Sequence, residues 1–396
     1  MKRILFLTFY FRPDLCAGSF RNSPLLDELS RQTMDENIQI DVFTTSPNRY
    51  SSFSRSYLPV EEFGNVRIER IDIPTHKSGM KDQALSFKTY FFETLKKTKN
   101  IRYDLVYGSS SRFFTSYLAY RIAKRNNCAL YIDVRDIFSE TIRDISQNPA
   151  FRLLISPFIA QLEKRVYHYA THVNLISKGF KSSFINYPGT SFSYYSHGAD
   201  PMFINTVTEN AWNNKNKLKK ILYAGNIGEG QGLHKIIPEA AKRLQGSFEF
   251  EIIGDGGAIE KLKVALERKN VSNVRVSKPI KREQLIEKYI HSDILFIHLN
   301  DYEIFKKVLP SKIFELAVTG KPILAGVRGY SSEFLQQHVP QSYIFDPGDV
   351  NGLMNMVTNI EQEKNDSHSG HSIRFAENFN RKKINKEMAK SITELI

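Results

Sequence analysis

Cysteine is scarce: Cys16 and Cys128 are the only two in 396 residues. Two thiols so far apart form no disulfide framework and no metal-ligand spacing, and this usage fits a reducing compartment. No Asp-x-Asp pair and no His or Cys cluster occurs, so the usual ligands of a catalytic metal are missing. A Gly-x-Ser-x-Gly elbow and a P-loop are absent as well, which argues against those two kinds of hydrolase. No apolar run approaches the roughly 20 residues needed to span a bilayer. The longest, Leu153 to Leu162, is interrupted by Ser156 and Pro157. Met1-Lys2-Arg3 followed by Ile4 to Phe11 imitates a signal peptide, but Arg12, Pro13 and Asp14 follow at once, without a small-residue cleavage site. A first strand fits better, and the expected location is cytoplasmic.

Acid is the scarcer charge. Lys plus Arg number 55 against 42 Asp plus Glu, a formal charge of +13. A basic chain binds anionic partners: nucleic acid, acidic lipid or phosphorylated small molecules. Its cations are spread along the chain rather than clustered with aromatics on one face, so no nucleic acid is expected.

The length suffices for two domains. Short apolar strands alternate with amphipathic helices in both halves. The first half offers strands at Ile4–Phe9, Ile38–Thr44, Val66–Ile71, Asp104–Tyr107, Ala129–Ile132, His172–Ile176 and Ser191–Tyr195. The second offers Ile221–Ala224, Phe248–Ile253, Val274–Val276, Ile294–Leu299, Ile323–Ala325 and Tyr343–Phe345. This alternation predicts two doubly wound α/β domains with parallel sheets covered on both faces. Residues 205–219, polar and rich in Asn and Lys, read as a linker between domains at 1–204 and 220–372. A last amphipathic helix within 373–396 carries Phe375, Phe379, Ile384, Met388, Ile392 and Leu395 in one stripe, expected to pack on the first domain.

Ligands of such domains gather at the carboxyl ends of strands, against helix N-termini. Four stretches stand there. Ala224-Gly225-Asn226-Ile227-Gly228-Glu229-Gly230-Gln231-Gly232 follows a strand and opens a helix, as a diphosphate-approaching loop does. The full Gly-x-Gly-x-x-Gly fingerprint of a nicotinamide site is not met. Gly254-Asp255-Gly256-Gly257 follows the next strand, and a tight surface turn explains it equally well. Pro310-Ser311-Lys312-Ile313-Phe314-Glu315 opens a helix after the strand ending at Leu299, and Gly320 closes it. Lys312 and Glu315, about one turn apart, suit a nucleotide sugar: the cation for phosphate, the carboxylate for ribose hydroxyls. They equally suit an ordinary exposed ion pair. In the first half, Asp133-Val134-Arg135-Asp136-Ile137-Phe138-Ser139-Glu140 crowds carboxylates and an arginine at a strand end, for acid–base work or as a structural pair. Gly18 sits at the start of the first helix.

Together these residues resemble the retaining GT-B glycosyltransferases of family four. Among these, the bacterial O-antigen and capsule transferases of the N-acetylfucosaminyltransferase type come nearest. They carry a Pro-Ser-Lys-x-Phe-Glu helix start, an Ala-Gly-Asn-Ile-Gly…Gln-Gly loop and an Arg-Asp-x-x-x-Glu stretch, here Arg135-Asp136 to Glu140. His197-Gly198-Ala199-Asp200 is similar to that family's Asn-Gly-Val-Asp. The resemblance covers nearly the whole chain and is most specific in the second half. One departure stands out: Glu315 matches the second glutamate of the Glu-x7-Glu motif, but Lys307 occupies the place of the first, leaving Glu303 as a substitute.

The resemblance implies a GT-B fold, two Rossmann-like domains facing across a cleft. The implied activity is sugar transfer from a nucleotide diphosphate donor, a UDP-sugar before a GDP-sugar, without metal or other cofactor. The implied acceptor is a saccharide, including an undecaprenyl-diphosphate-linked one. It assigns Gly18, Gly225, Asn226, Gly228, Gln231, Gly254, Ser311, Lys312 and Glu315 to the donor, Arg135 and Glu140 to the acceptor, and Asp136, Lys312 and Glu303 to catalysis. Negative charge growing on the leaving diphosphate would be met by Lys312 and backbone amides. Aromatics and lysines interleave in Phe87-Lys88, Tyr90-Phe91-Phe92 and Lys96-Lys97, as in helices that lie at the inner face of a membrane, or as in a helix packing its rings inward. Two other readings remain: a nucleotide-sugar 2-epimerase, whose Ser-Gly-Gly segment would fall near Gly329–Glu333, and a binding protein without catalysis.

Overall fold

The structure, a computed structural model, describes residues 1–48, 57–74, 80–110, 113–145, 149, 151–187, 189–204, 218–363 and 369–396. The chain forms two units. Unit 1 comprises Met1–His197 and Lys382–Ile396; unit 2 is Gly198–Arg381.

Unit 1 is built on strands β1 (Lys2–Leu7), β2 (Ile38–Thr45), β3 (Val60–Phe63), β4 (Val66–Ile71), β5 (Leu105–Ser109), β6 (Ala129–Val134), β7 (His172–Leu175) and β8 (Ser191–Ser193). Their order is β3-β4-β2-β1-β5-β6-β7-β8. All pairs are parallel except β3 with β4. The central strands are apolar on both faces because helices cover both, so Ile4, Phe6, Leu105, Tyr107, Leu130 and Ile132 are fully buried. β3 has no such signature. It is an edge strand, Val-Glu-Glu-Phe, mostly exposed, and the sequence pattern passes over it. The Gly64-Asn65 pair between β3 and β4 is the hairpin signal that marks it.

Unit 2 holds β9 (Lys219–Asn226), β10 (Phe248–Asp255), β11 (Val274–Ser277), β12 (Ile294–His298), β13 (Ile323–Gly326) and β14 (Ser342–Phe345). They form an all-parallel sheet in the order β11-β10-β9-β12-β13-β14. The order reverses between β9 and β12. At such a switch point the two flanking loops leave toward opposite faces and open a crevice.

Two expectations about connections change. Most of the expected linker, 205–217, lies outside the described residues, and Lys219 already belongs to β9. Before it, Ala199 and Phe203 are buried in the core of unit 2 with Tyr289. The single helix expected within 373–396 is two, Ser369–Asn378 and Arg381–Thr393. The break has a visible cause. Phe379 O accepts from Ala199 N at 2.6 Å, and Arg381 N donates to Ala199 O at 3.0 Å. This strand-like bridge takes backbone groups that a continuous helix would need. Phe375 and Phe379 therefore pack in unit 2 against Phe314 and Phe334. Met388, Ala389 and Ile392 pack into the core of unit 1.

Candidate functional site

In unit 2, the loop after β9 stands at the switch point. It is held by neutral groups. Gln231 Oε1 accepts from Asn226 Nδ2 at 2.7 Å and from Gly228 N at 3.2 Å. Asn300, just beyond β12, donates from Nδ2 to Glu229 O at 2.9 Å and from its backbone N to Gly230 O at 2.8 Å. A Cβ at Gly254 would lie 1.9 Å from Gly225 O, so only glycine lets the ends of β9 and β10 approach this closely. The structure thus brings Gly225, Asn226, Gly228, Gln231 and Gly254 together. The helix Leu233–Arg243 starts from this loop, and its first amides have no partner within the helix.

His298 closes β12 and has no counterpart among the expected site residues. It is 1% exposed. Its Nδ1 lies 2.6 Å from Gln231 O, and its Nε2 lies 3.0 Å from Gly348 N. A backbone carbonyl only accepts and an amide only donates, so the ring is neutral with its proton on Nδ1. Burial pushes its pKa down to about 4. One imidazole thereby ties the glycine loop to the loop after β14. The available signal was a lone polar residue ending the apolar strand Ile-Leu-Phe-Ile.

The Pro310–Glu315 stretch differs from expectation. Pro310, extended, takes the cap position, and Ser311 is the first helical residue rather than the cap. The fixed φ of proline allows the extended conformation it holds there, and no side chain caps the helix start. Lys312 and Glu315 do not both present free charges. Lys312 Nζ donates to Glu315 Oε2 at 2.8 Å and to Tyr289 OH at 3.3 Å. Glu315 is only 5% exposed. Burial works against the Lys312 ammonium, but Glu315 and Tyr289 outweigh it and hold its pKa above the ordinary lysine value. Lys312 thus already answers a carboxylate. Glu303 lies in a short turn, exposed and paired with Lys306 at 2.6 Å, which holds its carboxyl below the ordinary range. Lys235, in the first turn after the glycine loop, donates to the neutral Asn300 Oδ1 at 3.1 Å. Ser331, in the stretch where an epimerase would present Ser-Gly-Gly, is buried and donates to Val308 O.

In unit 1 the structural arginine–aspartate pair is not Arg135 with Asp136. It is Arg21 with Asp133, bidentate at 2.6 and 2.8 Å, both side chains buried. Asn174 Nδ2 also donates to Asp133, at 2.7 Å, and Arg21 donates to Ser196 O and Tyr195 O. Arg135 instead lies against the first helix: a Cβ at Gly18 would be 3.2 Å from its Nη1. Its Nε and Nη1 are buried without a hydrogen-bond partner among the described residues. Burial pushes its pKa down, with Asp133 opposing. Asp136 accepts from Thr141 Oγ1 at 2.7 Å, and Glu140 accepts from Ser183 Oγ at 2.8 Å.

Glu163 was not anticipated. It accepts from Phe138 N at 2.9 Å, from Ser139 N at 3.3 Å and from Ser139 Oγ, so it caps the helix Phe138–Ile145 from 25 residues away. Burial outweighs these bonds and pushes its pKa up to about 7. Asp200, which ends the His197-Gly198-Ala199-Asp200 stretch, pairs with Arg282 at 2.6 Å and Arg381 at 2.7 Å. Among the described residues no group of three or more His, Cys, Asp or Glu gathers as a metal site.

Residues 206–378, which fall in the unit 2 stretch of the chain, match the model of the family described as glycosyl transferases group 1. The chain is 32% identical over 108 residues to WcaI of Escherichia coli K12, whose name is that of a colanic acid biosynthesis glycosyl transferase. That match covers 27% of this chain and about a quarter (26%) of the relative. Among solved structures, sucrose-phosphate synthase from Thermosynechococcus elongatus is similar with a TM-score of 0.76 and 13% identity, over 100% of this chain and 99% of that one. Anabaena HepE in complex with UDP is similar with a TM-score of 0.66 and 15% identity, over 100% of both chains. At such identities these likenesses show the fold: two parallel-sheet α/β domains, as in GT-B glycosyltransferases.

Proposed function

We propose that the protein is a glycosyltransferase that moves a sugar from a nucleotide diphosphate donor to a saccharide acceptor, with retention and without a metal. The observation that carries this reading is the glycine loop at the unit 2 switch point, braced by neutral side chains ahead of a helix start, within the segment that matches the glycosyl transferase family. Such a loop offers N–H groups to a diphosphate, and its own carboxylate, Glu229, is paired with Lys261. Gly225, Asn226, Gly228, Gln231 and Gly254 are assigned to the donor, with Ser311 at the neighbouring helix start. Glu315 takes ribose hydroxyls, fixed in place by Lys312. Lys235, in the first turn of the loop's own helix, adds a cation, because the Lys312 charge is shared with Glu315. The leaving diphosphate gains charge in the transition state, and these donors strengthen toward it. Glu303 stands in for the missing glutamate at the sugar. In unit 1, Asp136 orients the acceptor, with Arg135, Glu140 and Gly18 around it.

UDP is the favoured base carrier, supported by the UDP bound in the similar HepE structure. A role in bacterial surface polysaccharide synthesis, O-antigen or capsule, with a lipid-linked acceptor, is supported by the name of the matching WcaI. Metal independence is supported by the absence of an Asp-x-Asp pair.

The test is a thermal shift of the purified protein with UDP, GDP, ADP and CMP. A ligand that binds only the folded state raises the melting temperature by mass action. UDP raises it most, and Asn226→Ala or Lys235→Ala abolishes the rise while the ligand-free melting temperature holds. Transfer in excess EDTA, with the product's anomeric configuration read by NMR, tests the mechanism. No shift with any nucleotide, or activity that EDTA removes and magnesium restores, overturns the reading.

A further inference from the structure

The segment from Phe151 to Tyr169 places its charges unequally. Its one acid, Glu163, is 4% exposed and turned under the start of the helix Phe138–Ile145. Its lysines and arginines, Arg152, Lys164 and Arg165, are all exposed. The same segment leaves large apolar side chains in water: Leu153 is 74% exposed, Leu154 70% and Phe158 60%. In an ordinary amphipathic helix these would face the core. Here the core-facing positions are already taken by Ile159, Leu162, Val166 and Tyr167, so the exposed leucines and phenylalanine are surplus to it.

Their arrangement is ordered. The chain winds as a π-helix through Phe151–Ile155 and continues as the α-helix Ser156–Tyr169. Leu154 stands about one turn before Phe158, and Arg165 stands two turns beyond Phe158 on the same face. Apolar anchors thus occupy one end of the stripe, with cations at both flanks. The helix packed against it does not offset these charges with unengaged acids. Asp144 pairs with Arg143, and Glu140 accepts from Ser183.

The helix Met80–Lys97, where the sequence places the interleaved aromatics and lysines, behaves differently. Tyr90 is fully buried and donates to Phe43 O. Phe87 stacks on Phe9, and Phe91 on Tyr117. Phe92 is the aromatic this helix leaves largely exposed among its described residues. That helix spends its rings on packing.

We propose that Leu153, Leu154 and Phe158, flanked by Arg152, Lys164 and Arg165, form a docking surface for an anionic lipid bilayer. The apolar side chains enter the boundary between head groups and acyl chains, and the cations meet lipid phosphates. Among the described residues no helix is long and apolar enough to cross a membrane, so this surface lies on the bilayer. The docking stands independently of sugar transfer; its purpose, presenting unit 1 to a lipid-borne acceptor, rests on the reading proposed above.

The test is co-sedimentation of the full chain with phosphatidylcholine vesicles, with and without phosphatidylglycerol. The wild type binds the anionic vesicles, less as salt rises, and leaves the neutral ones. Leu154→Ser combined with Phe158→Ser lowers binding at least roughly tenfold. Arg165→Glu lowers it less, and Phe92→Ser leaves it unchanged. Each variant keeps its melting temperature and its UDP-induced shift, so loss of vesicle binding is separable from misfolding and from failure of the donor site. Three results overturn the proposal. One is equal binding by the double variant. Another is loss of binding with Phe92→Ser instead. The third is a wild-type dimer in solution that the double variant dissolves, which would make a second copy the occupant.

Discussion

At the strand ends of unit 1, side chains are fixed by buried charge. Arg21 and Asp133 form a buried bidentate pair, Glu163 caps a helix from inside, and Arg135 carries buried N–H groups without partners among the described residues. At the strand ends of unit 2, the comparable work falls to neutral groups: His298, Asn226, Gln231 and Asn300 against backbone. Both sets lie where parallel strands end and helices begin, yet their electrostatics are opposite. A buried ion pair is rigid but tolerates no loss of either partner. A neutral brace leaves the local potential to helix amides and to the incoming ligand. The second arrangement suits a site that must accept a dianionic group, and the first suits a frame whose own geometry must not move.

The largest effect expected from this contrast is in unit 1. Asp133→Ala leaves the Arg21 guanidinium buried and unpaired, and should cost about 3–5 kcal/mol in urea unfolding. Replacing both, as Arg21→Met with Asp133→Leu, should recover much of that loss. A cost below about 1 kcal/mol for the single change would show that water reaches the pair, and the contrast would fail.

A smaller effect is expected in unit 2. His298→Ala orphans Gln231 O and Gly348 N, at about 1–3 kcal/mol in total. It should also weaken UDP binding, because the glycine loop loses its tie to the loop after β14. Unchanged UDP affinity in a folded His298→Ala protein would separate the brace from the site.

The smallest effect sharpens the contrast through pH. Glu163 has a folded pKa of about 7 against an ordinary value of 4.5. The folded state therefore holds the proton more tightly, and the Glu163 contribution to stability falls as pH rises from about 4.5 to about 7. Glu163→Gln keeps the neutral form at every pH. Its stability relative to wild type should rise across that window, by at most about 1.4 kcal/mol per pH unit, and level off above it. His298, with its pKa lowered from 6.5 to about 4, acts in the opposite sense: its contribution is present above 6.5 and is lost as pH falls toward 4. It is common to both proteins and cancels in the difference. A flat difference across the window would show Glu163 ionised throughout.

Much of the architecture was legible because central parallel strands buried on both faces read as short apolar runs, and thirteen of the fourteen strands among the described residues lie where the sequence places one. The exception, β3, is an edge strand whose charged residues face water. The glycine loop was legible for a similar reason: its strand, glycines and helix are contiguous, and the backbone demand at Gly225 to Gly232 is local. The roles of charged side chains were much less so. Lys312 and Glu315 are three residues apart, and their spacing allowed either a shared ligand or a mutual bond; burial of Glu315 decided for the bond.

What the sequence determined by itself is the succession of strands and helices, the two-sheet organisation and the placement of glycine-rich turns at strand ends. All three follow from backbone preferences and periodicity within about 20 neighbouring residues. What only the tertiary structure decided is who partners whom. Arg21 meets Asp133 across 112 residues and His298 reaches Gln231 across 67. Ala199 breaks the C-terminal helix from 181 residues away, as the bridge to Asn380 shows. A buried polar group must find a partner wherever the fold brings one, and that partner's position along the chain leaves no trace in local pattern.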